Sequence, residues 1–300
     1  MTSAISIENL SKTFRSSPFG KEVRALVDVS LEVGAGEAFG FVGHNGAGKS
    51  TTIKVLMGIL RATSGSARLF GVDVGLPEAR KGLGYVPENP LLYDYLSPVE
   101  ILTSGLHLHG VAVDDERRYC LEWLERFDIA HVADRRLRTF SKGMVQRTAL
   151  AHALAIRPRL LILDEPLSGL DPVGRRDVVD ILAEYRRGGG TIFFTSHVLH
   201  DVERLADRFG LVAKGRMRAV SSPGELAGDE DLVTVRSLGD ASVPGFVPQV
   251  GRQWQAEIPK VRLWATLEQL KGAGHDIIEV KPTLNLESAF LRYQEQEDRR

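Results

Sequence analysis

A chain of 300 residues can hold one large α/β domain with a small appendage, and 43% hydrophobic with 26% charged content is ordinary for a soluble globular protein. A formal net charge of −1 supplies no general field for nucleic acid or acidic substrates, and a single cysteine, Cys120, excludes an internal disulfide. No basic-then-apolar leader is evident, and no run of about 18 apolar residues, the length needed to span a bilayer, interrupts the chain. Work at a membrane is therefore expected to go through a partner.

In chain order, the first residues (ISIENLSKTF and VRALVDVSLEV) alternate apolar and polar, the pattern of an antiparallel sheet with one solvated face. Ala38–Val42 (AFGFV) reads as a short buried strand, followed by a glycine-rich turn. Helical apolar spacing then runs from Thr52 to Leu60 through Ile53, Leu56, Met57 and Leu60. From Pro98 to about Leu137 the chain reads as amphipathic helix, with Ile101, Leu106, Cys120, Leu121, Leu124 and Phe127 as its buried face. Buried strands are expected at Leu160–Leu163 and Thr191–Thr195, each preceded or followed by helix near Val145–Ile156 and Gly174–Arg187. This alternation predicts a largely parallel core sheet. Ser221-Ser222-Pro223-Gly224 breaks the pattern. Beyond about Asp229, strand-like DLVTVRSL and RQWQAEI, helix-like VRLWATLEQLKGAG, strand-like HDIIEV and a closing helix-like LESAFLRYQEQEDRR predict a second, smaller α+β unit. The expected division is a domain over 1–224, with an inserted helical subdomain at about 90–150, and an accessory domain over 225–300.

Gly43-His44-Asn45-Gly46-Ala47-Gly48-Lys49-Ser50 fits G-x-x-x-x-G-K-[ST] at every required position and lies between a strand and a helix. Glycines allow successive N–H groups to curl around one anion, and the helix after the loop adds its positive end. Lys49 supplies a point charge for the β- and γ-phosphates, and Ser50 a hydroxyl for Mg²⁺. The motif implies a nucleoside triphosphate without choosing among kinases, GTPases and ATPases. Leu160–Leu163 then runs into Asp164 and Glu165, two acids at a strand's C-terminal end. The first is placed to hold Mg²⁺ and the second to deprotonate an attacking water. His107 with His109, and His197 with His200, could suggest metal, but no cysteine or acidic cluster completes a ligand set.

The company of these motifs narrows the choice. FSKGM followed by Gln146-Arg147 precedes the acidic strand, Ser168-Gly169-Leu170-Asp171 comes after it, and His197 ends the next strand. From about Ile5 to Pro223 the chain resembles the ABC ATPases. GHNGAGKST is similar to that family's Walker A, with Thr51 and Thr52 completing it, LLILDEP to Walker B, FSKGM to a variant of the LSGGQ signature, SGLD to the D-loop, and His197 to the switch histidine. The resemblance implies a P-loop core that binds ATP and Mg²⁺, with an antiparallel β subdomain and an inserted helical subdomain. It also implies a head-to-tail dimer in which Ser141 and the N–H of Gly143 reach the γ-phosphate of the partner's ATP. By the same resemblance Glu165 is the general base, Asp164 holds Mg²⁺, His197 contacts the γ-phosphate and Asp171 links the two sites. The adenine-stacking aromatic is Phe14, with Phe19 as rival and core packing as the alternative for Phe14.

Two departures stand out. The family's usual glutamine after Gly84-Tyr85-Val86-Pro87 is replaced by Glu88, expected here as the substitute Mg²⁺ ligand and sensor. In the signature Lys142 replaces a glycine, either to neutralise phosphate or as a solvated side chain. Both features, and the segment Lys281–Leu291, resemble an exporter branch in which motor and membrane subunit are separate chains. The expectation is a motor at the cytoplasmic face of a membrane. Its partners would be a second copy and an integral membrane permease contacted through Pro90–Glu100, with no nucleic acid. The competing class is a non-transport ABC ATPase acting on DNA or ribosomes, which usually carries two ATPase units or a long inserted coiled coil.

Overall fold

In the computed structural model, which describes residues 3–15, 22–226 and 232–282, the chain divides into two units, Met1–Val220 and Ser221–Arg300. The first begins with β1 (Ser3–Arg15) and β2 (Glu22–Gly34), an antiparallel pair whose alternation buries Ile5, Ile7, Leu10, Leu26, Val29 and Val33 on one face. Then come β3 (Ala38–Val42), α1 (Lys49–Leu56), β4 (Ser64–Leu69), β5 (Val72–Asp73) and β6 (Leu83–Val86). Helix α1 is shorter than the spacing from Thr52 to Leu60 suggests. Gly58, at φ +68°, turns the backbone left-handed and stops the helix before Leu60 is reached.

Between β6 and β7 lie α2 (Pro98–His109), α3 (Glu116–Arg126) and α4 (Lys142–Ala155). Their starts are written locally. Ser97 accepts from the Glu100 N–H at 3.3 Å while the Glu100 carboxylate accepts from the Ser97 N–H at 2.8 Å, a reciprocal cap with Pro98 in the first turn. Asp115 caps α3 and Ser141 caps α4 in the same manner, each accepting from the N–H three residues on. Ile101, Leu106, Cys120, Leu124 and Phe127 are buried as their periodicity demands, joined by Leu102; Leu121 is only half-buried. Cys120 is fully enclosed, 3.6 Å from the Thr103 hydroxyl, and burial pushes its thiol pKa up.

The unit continues through β7 (Leu160–Asp164), α5 (Pro172–Arg187), β8 (Thr191–Ser196), α6 (Leu199–Leu205), β9 (Arg208–Ala213) and β10 (Arg216–Ser221). One sheet has the order β2-β1-β4-β5 and the other β10-β9-β3-β8-β7-β6, in which β9, β3, β8, β7 and β6 run parallel. Every residue of β3, β7 and β8 is buried, because the strands are covered on both faces. Phe193 stacks on Phe39 with ring centroids 6.1 Å apart and tilts against Phe41 at 5.7 Å, tying neighbouring strands at the centre of the sheet. All these parallel strands point their C-terminal ends the same way, and at that edge an open α/β sheet takes its ligand.

In the second unit, Ser222-Pro223-Gly224 does more than break the chain. The Ser222 hydroxyl accepts from the Glu225 N–H and the Glu225 carboxylate from the Ser222 N–H, opening the short helix α7 (Pro223–Leu226). Next comes an antiparallel sheet of order β12-β13-β11-β14, built from β11 (Leu232–Leu238), β12 (Val247–Pro248), β13 (Gln253–Pro259) and β14 (Asp276–Pro282). Helix α8 (Leu263–Gly272) contributes Leu270 to a core with Val233, Val235, Phe246 and Ala256. The closing segment LESAFLRYQEQEDRR lies outside the described residues. Among the described residues no helix is long and apolar enough to cross a membrane.

Candidate functional site

The loop between β3 and α1 has its shape dictated by glycine. A Cβ on Gly43 would stand 2.3 Å from the Val212 carbonyl oxygen, and Gly48 sits at φ +110°, where it also approaches the Ala25 carbonyl too closely for a side chain. Gly48 is the N-cap of α1 and offers no side-chain cap, so the first-turn N–H groups remain available to an anion. Lys49 is buried and donates to the Gly43 carbonyl at 2.6 Å. A pocket of about 270 Å³ opens in front of this loop, lined by Ala25, His44, Asn45, Gly46, Gly48, Lys49, Ser50, Thr51, Glu88 and Glu165.

The acids reach this pocket from the neighbouring strands. Glu165 comes directly after the last residue of β7 and lies in the left-handed region, φ +50°. One carboxylate oxygen lies 3.2 Å from Lys49 Nζ, an ion pair out of hydrogen-bonding line, and this oxygen has no hydrogen-bond donor. The other is 2.8 Å from His197 Nδ1. An ionised carboxylate can only accept, so the bond places a proton on Nδ1 and turns Nε2 away from Glu165. Asp164 is buried and does not line the pocket; its Oδ1 accepts from the Thr195 hydroxyl at 2.6 Å. Burial, with the Asp164 charge as a second cause, raises the pKa of the Tyr85 phenol on β6. Glu88, just beyond β6, lines the pocket together with Ser50. Four adjacent parallel strands, β3, β8, β7 and β6, thus deliver Lys49 and Ser50, Thr195 and His197, Asp164 and Glu165, and Glu88 to one edge.

Other expected residues lie elsewhere. Thr52 is a correction: it is fully buried, and its hydroxyl donates back to the Gly48 carbonyl at 3.1 Å, a helical back-bond that faces the core. Phe14 is 39% exposed, which removes the core-packing alternative, and carries Lys12 Nζ 5.1 Å from its ring centroid; it is not among the pocket's lining residues. Phe19 lies outside the described residues. His107 bonds the exposed Glu116 at 2.8 Å, and His200 lies 3.6 Å from Glu203.

Ser141 and Gly143 belong to a second pocket, of about 490 Å³, with Lys142, Met144, Arg147, Asp171 and Asp128. The two pockets share no residue. Arg147 ties the second together by donating to the Phe127 carbonyl at 3.0 Å and pairing with Asp171 at 3.6 Å. Gly169 is closely covered by the Lys142 stem, 3.2 Å from where a Cβ would stand. Gln146, fully buried, donates to the Pro166 carbonyl at 3.0 Å and so fixes the turn after Glu165. Sequence reasoning missed Ala25 as a pocket wall, since an alanine on an alternating strand carries no signal. It also gave no role to Thr195, a buried hydroxyl on β8.

Comparison with known proteins agrees with this geometry. A family model described as ABC transporter matches residues 26–168. An uncharacterized ABC transporter ATP-binding protein of Bacillus subtilis is 32% identical over 300 residues, covering 95% of this chain and 94% of that protein. The lipopolysaccharide export system ATP-binding protein of Haemophilus influenzae is 31% identical over 238 residues, 78% of this chain and 96% of its own. A Synechocystis ABC transporter ATP-binding protein is 37% identical over 225 residues, but the match spans only 64% of that relative's length. Among solved structures, an ATP-binding subunit of an ABC transporter superposes with a TM-score of 0.67 at 29% identity, covering 74% of this chain and 91% of that one. A dimeric, post-hydrolysis ATP-binding cassette bound to ADP and Pi gives 0.68 at 22% identity over 73% and 98%, a likeness of fold.

Proposed function

Because this chain belongs to the ABC transporter ATP-binding proteins, we propose that it is the ATP-hydrolysing motor of an exporter whose membrane permease is a separate chain. The observation that supports the reading is that one chain carries two separate pockets, one at the loop with Lys49 and one at a capped helix start with Ser141 and Gly143. Two copies arranged head to tail would close both, each ATP held by the loop of one and the Ser141 helix of the other.

The pocket's chemistry fits Mg²⁺-ATP. Phosphate oxygens would take over the Lys49 ammonium from the Gly43 carbonyl and Glu165. Ser50, Glu88 and Asp164 are all oxygen donors. Mg²⁺ would neutralise charge on the phosphates, held by Ser50 and Glu88 directly and by Asp164 through water. Glu165 would take the proton of the attacking water on the oxygen that faces Lys49 and has no hydrogen-bond donor. His197 would contact the γ-phosphate from Nε2, its ring being oriented by the Glu165 carboxylate 2.8 Å from Nδ1. Asp171, in the signature pocket, would link the two sites, and Phe14 would stack on adenine.

The export direction is supported by the named role of the Haemophilus relative and by Glu88 and Lys142 in place of the commoner residues. Beyond Glu88, the exposed Leu91, Tyr93 and Tyr95, the two rings 5.6 Å apart, offer a surface for the permease. The chain would then sit at the cytoplasmic face of the membrane, with residues 225–300 as an accessory domain.

The dimer is tested by light scattering on the Glu165→Gln protein. Saturating Mg²⁺-ATP is expected to double its mass relative to the nucleotide-free form; a mass that stays monomeric speaks against the sandwich. The metal role of Glu88 is tested separately. Glu88→Ala is expected to raise the Mg²⁺ concentration for half-maximal turnover on the order of 10-fold, with Glu88→Gln milder. Equal Mg²⁺ titrations for all three proteins would remove Glu88 from the site.

A further inference from the structure

Thr195 carries a buried hydroxyl at the C-terminal end of a core strand. It is fully buried on β8 between phenylalanines and a serine, and its one hydroxyl is committed twice. The proton goes to Asp164 Oδ1 at 2.6 Å, and a lone pair receives the Glu165 N–H at 2.9 Å. A hydroxyl has one proton, so the direction of both bonds is fixed: Asp164 must accept, and the Glu165 amide must donate. The two residues so held are the consecutive acids at the end of β7.

We propose that Thr195 is a positioning residue for ATP hydrolysis, setting the Asp164 carboxylate toward Mg²⁺ and the Glu165 backbone in its left-handed turn through a single hydroxyl. The inference rests on the reading of Asp164 as the metal's acid and Glu165 as the base. The Glu165 backbone is the part that needs explaining. A non-glycine residue at φ +50° is sterically disfavoured and persists only where its surroundings over-determine it. Here the turn is held by the Thr195 hydroxyl on the Glu165 N–H and by the Glu165 carbonyl, which accepts from the Ser168 N–H at 3.0 Å. It takes Glu165 out of the alternation of β7 and directs its carboxylate between Lys49 and His197. Thr195 on β8 thus holds Asp164 and the Glu165 backbone, while His197, just beyond the end of the same strand, holds the Glu165 carboxylate.

Thr195→Val keeps the shape and removes the hydroxyl; Thr195→Ser keeps the hydroxyl and removes a methyl. The assay pairs ATP turnover with the gain in affinity for a fluorescent ATP analogue when Mg²⁺ replaces EDTA, a quantity that needs no hydrolysis. Thr195→Val is expected to lose turnover by about 10-fold or more and to lose most of the Mg²⁺-dependent gain, with analogue affinity in EDTA unchanged. Thr195→Ser is expected to stay within about threefold of the unaltered protein on both readouts, one lost methyl costing little beside a lost hydroxyl bond. A Thr195→Val protein with normal turnover and a normal Mg²⁺ gain would overturn the proposal. So would a Thr195→Ser protein as impaired as Thr195→Val, which would assign Thr195 to packing. Turnover of the unaltered chain that does not respond to Glu165→Gln would overturn the underlying assignment of the acids, a result distinct from either.

Discussion

Glu165→Gln is expected to lower ATP turnover by about 10²–10⁴-fold, the usual worth of a positioned general base, while nucleotide affinity holds or improves. Glutamine is isosteric and keeps an acceptor for His197, so the packing between Lys49 and His197 survives. The lost property is proton affinity: the oxygen facing Lys49, buried and without a hydrogen-bond donor, is the atom able to take a proton, and the amide cannot. Removing the negative charge also relieves repulsion against the γ-phosphate, which is why binding should not weaken. The check is single-turnover hydrolysis alongside a binding titration. Turnover within about threefold of the unaltered protein would exclude Glu165 as the base.

Lys49→Ala is expected to act on the opposite quantity, weakening Mg²⁺-ATP affinity by about 10–150-fold, the range for a charge-assisted hydrogen bond of about 1.5–3 kcal/mol. Lys49 is the buried cation of the phosphate pocket, and no other side chain of the loop between β3 and α1 carries a fixed positive charge. Its loss also strips Glu165 of its ion-pair partner at 3.2 Å. A modest fall in thermal stability should therefore accompany the loss of binding. Isothermal titration with a slowly hydrolysed analogue separates the two effects; an unchanged Kd would mean the phosphates sit elsewhere.

What could be read from residues alone depended on how local each cause is. The phosphate loop was legible because glycines, lysine and serine act within one short run of consecutive positions, and the parallel core because β3, β7 and β8 are buried and largely apolar along their length. Thr52 was misread for a local reason too: adjacency to the motif suggested ligand contact, but one helical step rotates it into the core, where it back-bonds to Gly48. The end of α1 was missed because apolar spacing ran on past Gly58, whose left-handed backbone stops the helix whatever side chains lie beyond it. Long-range placements left the least trace. Nothing near Ala25 shows that β2 will wall the phosphate pocket, and nothing in TIFFTS shows that one threonine will bridge two acids from the next strand.

The central claim is that this motor drives a separate membrane chain, and one experiment addresses it directly. Glu165→Gln protein carrying an affinity tag is loaded with ATP in its native cell, extracted in mild detergent, and its co-purifying chains identified. The account predicts stoichiometric recovery of a multi-span membrane protein, whose yield falls when Leu91, Tyr93 and Tyr95 are replaced together by serine. Recovery of ribosomes or DNA-bound factors with no membrane protein would contradict it, leaving an ABC ATPase that works outside transport.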